Sequence, residues 1–271
     1  MPRQKLLMCA PDYFGVDYVI NPWMEGNKGL ADRILAVQQW SNLKLMLEAQ
    51  ADITLIPQKD GFPDMVFTAN AGFVLDGRVV VTRFKANERQ GEEPFFRDWF
   101  QANGFKIEPW PTNICFEGAG DALLDRGQEI IWAGYGFRSD AAAPGLLERI
   151  FRRRAIALRL VDPRFYHLDT CLCPLTGGFL MYFPSAFDAA SQKAILDNVP
   201  PKKRIAVSEA DALQFCCNAV DLNPYIFMNG ASEALQNTLR EREMTPVITP
   251  LSEFMKAGGA AKCLTLKLIE T

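Results

Sequence analysis

Apolar residues along this chain recur at two alternating periods. Between Leu30 and Gln50, the residues Leu30, Ile34, Val37, Trp40, Leu43 and Leu47 return at steps of three and four, which predicts a helix with one apolar stripe. Asp52–Ile56 then reads as a short strand stopped by Pro57. Met65–Leu75 and Arg78–Phe84 are apolar runs flanking Asp76-Gly77, a pair suited to the positive φ angles of a tight hairpin turn. Glu93–Ala102 reads as a helix, with Gly104 as its stop signal.

The same order of elements then repeats. Lys106–Trp110 is a predicted strand and Asp121–Gly134 a hairpin turning near Arg126-Gly127, with a helix capped by Ser139 or Asp140 running to about Arg154. Ala157–Val161 is a strand, Thr170–Phe183 a hairpin turning at Gly177-Gly178, and Asp188 opens a helix to about Leu196. Ile205–Ser208 is a strand, Asn218–Met228 a hairpin around Asn223-Pro224, and Ser232 opens a helix to about Glu243. Val247–Thr249 and Lys262–Ile269 complete the chain. The anchor positions Asn70, Asp121, Asp169, Asn218 and Lys262 fall roughly 50 residues apart, a spacing that marks a repeat architecture. The last unit has one strand, and the N-terminal strand Lys5–Cys9 is the natural partner to close a ring. The expectation is one α/β domain over residues 1–271, a five-bladed α/β propeller of ββαβ-type units. The competing architecture is an open α/β sheet, but no G-x-G-x-x-G phosphate loop is present.

Composition narrows the function. Of 271 residues, 49% are hydrophobic and 23% charged, as in ordinary globular proteins. A net charge of −3 argues against a nucleic-acid or anionic-membrane partner. No apolar run reaches the roughly 18 residues of a membrane span, and the apolar stretch near the N-terminus is too short for a signal peptide. Seven cysteines do not read as a disulfide framework, so a reducing cytoplasm is expected. Cys171-x-Cys173 and Cys216-Cys217 lack a second spaced pair, and no metal or cofactor is expected. Arg149, Arg152, Arg153 and Arg154 complement a helix C-terminus. The sequence leaves room for a homo-oligomer.

Chemistry-bearing residues gather where each hairpin begins. These are Asp64 and Asn70, Glu117 and Asp121, His167 and Asp169, Asn218, and Cys263. If rotation relates the units, they converge near one axis. His167 is the single histidine, and strand alternation would put Asp169 on its side, where a carboxylate orients the ring. Such a pair also serves as a purely structural contact. Cys263 follows Gly258-Gly259-Ala260-Ala261, small residues that let backbone approach a ligand. With His167 it forms a candidate nucleophile pair; the alternative is an ordinary buried cysteine. Glu117-Gly-Ala-Gly-Asp121 sets two carboxylates among small residues, suited to a cationic substrate or to a plain acidic turn. Pro11–Gly29, with glycines among aromatic residues, reads either as a lid or as a packed loop.

Taken together, Phe67-Thr68-Ala69-Asn70, Glu117-Gly-Ala-Gly-Asp121, His167-Leu-Asp169 and the late Gly-Gly…Cys263 resemble the guanidino-group-modifying pentein superfamily of arginine deiminases, dimethylargininases and amidinotransferases. The resemblance covers essentially the whole chain. It is strongest to arginine dihydrolases, known as the N-terminal part of a cyanobacterial fusion with ornithine cyclodeaminase. Asn21-Pro22-Trp23, Pro63-Asp64 through Gly72, Glu88-Arg89-Gln-Gly-Glu-Glu, Gly-Tyr-Gly-Phe-Arg138-Ser-Asp140 and Gly-Gly-Ala-Ala-Lys-Cys263 carry it. The sequence ends soon after Cys263, so no cyclodeaminase portion is expected. The resemblance implies that Cys263 is the nucleophile and His167 the general acid and base, with no cofactor and a small-molecule substrate, arginine or a substituted arginine. It implies that Glu117 and Asp169 hold the guanidinium, that Arg89, Arg138 and Asn21 bind the amino-acid head, and that Asp64 and Asp121 sit at the substrate or just behind it. Deiminases carry a carboxylate where this chain has Asn70. An amide both donates and accepts, which suits retention of a neutral ureido group for a second hydrolysis. The expected activity is therefore arginine to ornithine, two ammonia and carbon dioxide. The alternatives are a deiminase or dimethylargininase ending at citrulline, an amidinotransferase, and a non-catalytic ribosome-binding pentein.

Overall fold

In a computed structural model, which describes residues 3–269, the fifteen strands form five three-stranded sheets. The first is β3(Gly72–Leu75)–β4(Arg78–Val81)–β5(Lys106–Ile107) and the second β6(Ala122–Asp125)–β7(Ile130–Tyr135)–β8(Ala155–Arg159). The third is β9(Leu172–Leu175)–β10(Phe179–Tyr182)–β11(Arg204–Ala206) and the fourth β12(Val220–Leu222)–β13(Tyr225–Met228)–β14(Thr245–Ile248). In each, an antiparallel hairpin is followed by a helix-bearing crossover to a parallel third strand. The fifth sheet joins the two ends of the chain: β15(Leu266–Ile269) pairs antiparallel with β1(Lys5–Cys9), and β1 pairs parallel with β2(Asp52–Ile56). The predicted ring closure is thus the observed one, and the five units form a propeller-like ring.

Local chemistry explains the elements. Asp76 and Gly77 adopt φ angles of 52° and 71°, the two positive values a two-residue hairpin turn requires. Asp188 and Ser232 cap their helices as expected, accepting from Ser191 and Leu235 N–H groups. In helix Glu93–Ala102, Phe96 and Phe100 sit one turn apart and are both fully buried.

Three expectations need correction. The first helix runs Arg33–Glu48 from an Asp32 cap, with Ala36, Trp40, Leu43 and Leu47 buried but Ile34 74% exposed. Steps of three fall about 60° short of a full turn, so Ile34, Val37, Trp40 and Leu43 wind from the solvent face to the core face. The apolar run from Met65 is not one strand: residues Pro63–Val66 and Thr68–Ala71 are 3₁₀ turns, and the strand begins at Gly72. Ser139 and Asp140 do not cap the helix Ala143–Phe151, whose cap residue is Ala142. Asp140 instead accepts from Cys115 N–H, and Ser139 is drawn into the site.

Candidate active site

The turn that precedes each inner strand is buried, and those of the first, third and fifth sheets bring Asn70, His167 and Cys263 to one pocket of about 270 Å³. Asn21, Asp64, Asn70, Arg89, Arg138, Tyr166, His167 and Cys263 line it. A larger cavity of about 540 Å³ runs along the inner strands, past Val74, Leu123, Cys173, Val220 and Leu266. It holds neither His167 nor Cys263, so the chemistry belongs to the smaller pocket.

His167 reaches the pocket from an extended residue just before the 3₁₀ turn Leu168–Thr170. The turn, not strand alternation, therefore sets the relation of His167 to Asp169. His167 Nε2 lies 2.7 Å from Glu117 Oε2. An ionised carboxylate only accepts, so Nε2 carries the proton of that bond. Glu117 Oε2 also accepts from Arg138 Nη1 at 3.1 Å, and Oε1 accepts from the Lys85 N–H. Burial alone would raise the Glu117 carboxyl, but Arg138 and His167 hold it well below the usual carboxylate range. Both oxygens are engaged, and Glu117 does not line the pocket. It acts on His167 and Arg138 rather than standing open to a guanidinium.

Asn70 is fixed from two sides: Nδ2 donates to the Glu117 carbonyl at 2.9 Å, and Oδ1 accepts from Arg89 Nη1 at 2.9 Å. Each end of the amide keeps one further hydrogen-bonding position. Gly120 packs against it: a Cβ there would lie 2.4 Å from Asn70 Nδ2 and 3.3 Å from the His167 ring. Arg89 is largely spent on the fold. It pairs bidentately with Glu92 at 2.9 and 2.8 Å, donates to the Asp64 carbonyl, and lies over Phe84. Arg138 donates to Glu117 and to the Ile20 carbonyl and stacks on Tyr166, leaving donors unused on its five-donor fork.

The remaining expected residues divide. Asp64 Oδ2 accepts from Tyr18 Oη at 2.9 Å, whereas Oδ1 is buried with no hydrogen-bond partner, an acceptor open to a donor-bearing ligand. Burial raises the Asp64 carboxyl. Asp121 does not reach the pocket: Oδ1 accepts from Leu168 N–H and Oδ2 from Ser139 Oγ at 2.6 Å, and burial raises its carboxyl to about 6. Of the two places expected for it, Asp121 takes the one behind the pocket, as a strut between two turns. Asn21 lines the pocket, but its side chain caps Pro22–Met24 and donates to the Ala257 carbonyl. The Pro11–Gly29 segment is strapped over the site by that bond, by Tyr18–Asp64 and by Trp23 Nε1 donating to Arg164 O at 2.7 Å.

Cys263 is buried, with Asp169 Oδ2 3.5 Å from Sγ and Asn218 Nδ2 3.1 Å from it. Burial and the Asp169 charge push its thiol well above the ordinary range. Glu92, Tyr18, Tyr166 and Ser139 escaped the sequence reading. Only Glu92 had a visible signal, an acid three residues past Arg89, and it lies in the turn between helices Asn87–Gln90 and Glu93–Ala102.

A ring of five α/β blades around a buried cysteine, histidine and carboxylate set is the arrangement of the pentein superfamily. A family model described as N,N dimethylarginine dimethylhydrolase, eukaryotic, matches residues 19–270, and the chain belongs to this family. The bifunctional arginine dihydrolase/ornithine cyclodeaminase AgrE of Nostoc is 52% identical over 268 residues, which is 99% of this chain and 38% of that protein. The N(G),N(G)-dimethylarginine dimethylaminohydrolase of Mycobacterium tuberculosis is 38% identical over 98% of this chain and 87% of its own length. Among solved structures, the product-bound N-terminal domain of ArgZ, a cyanobacterial arginine dihydrolase, superposes with a TM-score of 0.98 at 51% identity, covering 99% of this chain and 98% of that domain. The chain thus spans 38% of the length of the bifunctional AgrE.

Proposed function

We propose that residues 1–271 act as one catalytic domain, a cysteine-dependent arginine dihydrolase. The observation that carries this reading is the fixed amide of Asn70 at the same pocket as Cys263 and His167. The likeness to the ArgZ domain supports it. Arginine binds as a cation, with its ammonium at Asp64 Oδ1 and its carboxylate at the unused donors of Arg138. Asp169, against Sγ and just outside the pocket lining, offsets the guanidinium charge through space. That incoming charge favours ionisation of Cys263, and His167 takes the thiol proton. Sγ attacks the guanidinium carbon; a C–S bond forms, a C–N bond breaks, and His167 returns the proton to departing ammonia. Water, deprotonated by His167, then adds to the thiouronium carbon and expels Sγ, leaving citrulline.

Asn70 keeps the ureido group in place through its free N–H. A second attack by Sγ releases the second ammonia, a second water frees the carbamate, and the carbamate gives ornithine and carbon dioxide. The balance is arginine and two waters to ornithine, two ammonia and one carbon dioxide. The cysteines all stand as free thiols, in keeping with a reducing cytoplasm. Among the described residues, no helix is long and apolar enough to cross a membrane.

The test is stoichiometry with Asn70→Asp beside the wild type. The wild type should release about two ammonia per arginine with ornithine and no accumulating citrulline, by two rounds of covalent catalysis. The aspartate keeps the Arg89 contact but sets an acceptor against the Glu117 carbonyl, and should accumulate citrulline with about one ammonia. Wild-type protein that stops at citrulline, or an unchanged product ratio in Asn70→Asp, overturns the role given to Asn70. Turnover of methylated arginine alone would favour the dimethylarginine hydrolase reading that the family supports.

A further inference from the structure

The fourth sheet supplies nothing to the reaction above, yet the turn before its inner strand carries Asn218, which is 0% exposed. Its amide makes four hydrogen bonds. Oδ1 accepts from the Ala260 and Cys263 N–H groups, each at 3.1 Å. Nδ2 donates to the Asp169 carbonyl at 3.1 Å and to Cys263 Sγ at 3.1 Å. A carboxamide has two N–H groups and two oxygen lone pairs, so its capacity is fully used. The network also fixes its direction. Turning the amide over would set Oδ1 against a carbonyl and a sulfur, and Nδ2 against two N–H donors.

One side chain thus ties the third-sheet turn that carries Asp169 to the small-residue turn that delivers the nucleophile. The Asn218 carbonyl adds a further bond, accepting from Lys262 N–H at 3.2 Å. We propose that Asn218 is a positioning residue for Cys263: it sets Sγ and Asp169 in one register, and its Nδ2–H carries charge on sulfur whenever the thiolate forms or leaves carbon. The proposal rests on the reading of Cys263 as nucleophile. Burial and Asp169 both oppose ionisation of that thiol, and the Ala260 N–H and the Asn218 amide act the other way. A donor that shortens its contact as sulfur gains charge contributes most when charge is present.

Asn218→Asp separates the two duties. The carboxylate still accepts from both N–H groups, but it lacks the donor and turns negative charge on Sγ. The first readout is the pH dependence of Cys263 alkylation by iodoacetamide without substrate, followed on the Cys263 peptide by mass spectrometry. The second is kcat and KM for arginine, and the third is Tm. We expect the alkylation midpoint to rise by at least about one pH unit. We expect kcat to fall roughly 10²-fold with KM within about threefold, the pattern of a donor lost from a preorganised site. An unchanged midpoint overturns the proposal even if activity falls, because a purely structural role lowers the folded fraction without moving the midpoint. Asn218→Ala is the companion variant if the aspartate does not fold, and its midpoint is read the same way. If wild-type protein leaves arginine untouched, the function proposed above fails, while the alkylation midpoint still judges Asn218.

Discussion

Glu117→Gln tests the part of the site on which His167 depends. The variant keeps the volume and one acceptor but removes the charge that meets His167 at 2.7 Å and Arg138 at 3.1 Å. Both partners are buried, with Arg138 6% and His167 2% exposed. Removing one member of a buried charge set costs about 3–5 kcal/mol, and the retained acceptor places this variant near the lower figure. For a chain of this size about 3 kcal/mol is a Tm loss of roughly 6–12 °C. The activity loss should be larger, because a neutral amide can still accept from the ring but does not stabilise its protonated form as a carboxylate does; roughly 10²–10⁴-fold in kcat is the range for such a base.

The pH dependence follows with a definite sign. A carboxyl held below its unfolded value contributes stability that is present above the unfolded pKa and lost as pH falls through the folded one. Glu117 starts from 4.5 and is lowered, so the wild type's advantage over Glu117→Gln should be flat near neutrality and shrink only below about pH 4.5. Scanning calorimetry between acid and neutral pH, with ammonia release measured in parallel, checks both arms. A Tm within about 2 °C of wild type and a kcat within about tenfold would refute the role assigned to this carboxylate.

Two further predictions follow from contacts already described. Gly120→Ala should cost about 1–3 kcal/mol and most of the activity, since its Cβ falls 2.4 Å from Asn70 Nδ2. Near-normal turnover would show that Asn70 and His167 can shift without consequence. Asp121→Asn should gain on the wild type as pH rises, because burial lifts the Asp121 carboxyl from 3.8 to about 6. A carboxyl raised in the folded state binds more protons there, so its contribution falls with pH across that window and the neutral variant escapes the loss. A Tm difference that stays flat from pH 4 to 7 sinks this reading.

The parts of this fold that were legible in the sequence are those with a period or a turn signature. Asp76-Gly77 and Gly177-Gly178 placed two hairpins, and the near-constant spacing of the anchor residues placed the ring. The site turns were not legible as structure. Thr68–Ala71, Gly118–Gly120 and Leu168–Thr170 are 3₁₀ turns of three or four residues, too short to show a period. Their residues were found through chemistry and resemblance instead. What each side chain faces was hidden for a different reason. Arg89 and Arg138 read alike in sequence, yet Glu92 takes Arg89 into the fold while Arg138 keeps donors toward the pocket. Asp64 and Asp121 likewise differ only in whether a second donor arrives: Asp121 has Ser139 and Leu168 for its two oxygens, and Asp64 leaves Oδ1 open.

The resting state of the proposed nucleophile then follows from the same arrangement. Cys263 is buried beside a carboxylate, and both features hold its proton on. A cysteine in that state reacts slowly with oxidants and adventitious electrophiles, because the thiolate is the reactive form. The neighbouring Lys262 opposes burial and Asp169 without overcoming them, and the pocket's arginines are engaged: Arg89 is bound to Glu92, and Arg138 to Glu117. A cationic guanidinium placed beside Sγ offsets the Asp169 carboxylate and lowers the cost of the thiolate at the moment the carbon to be attacked is in place. In the proposed reaction citrulline is neutral and brings no such charge, so the second round of hydrolysis needs a group that holds the ureido oxygen by a hydrogen bond. Asn70, with one N–H still free, is the group proposed for that task, and an aspartate in its place has none to give.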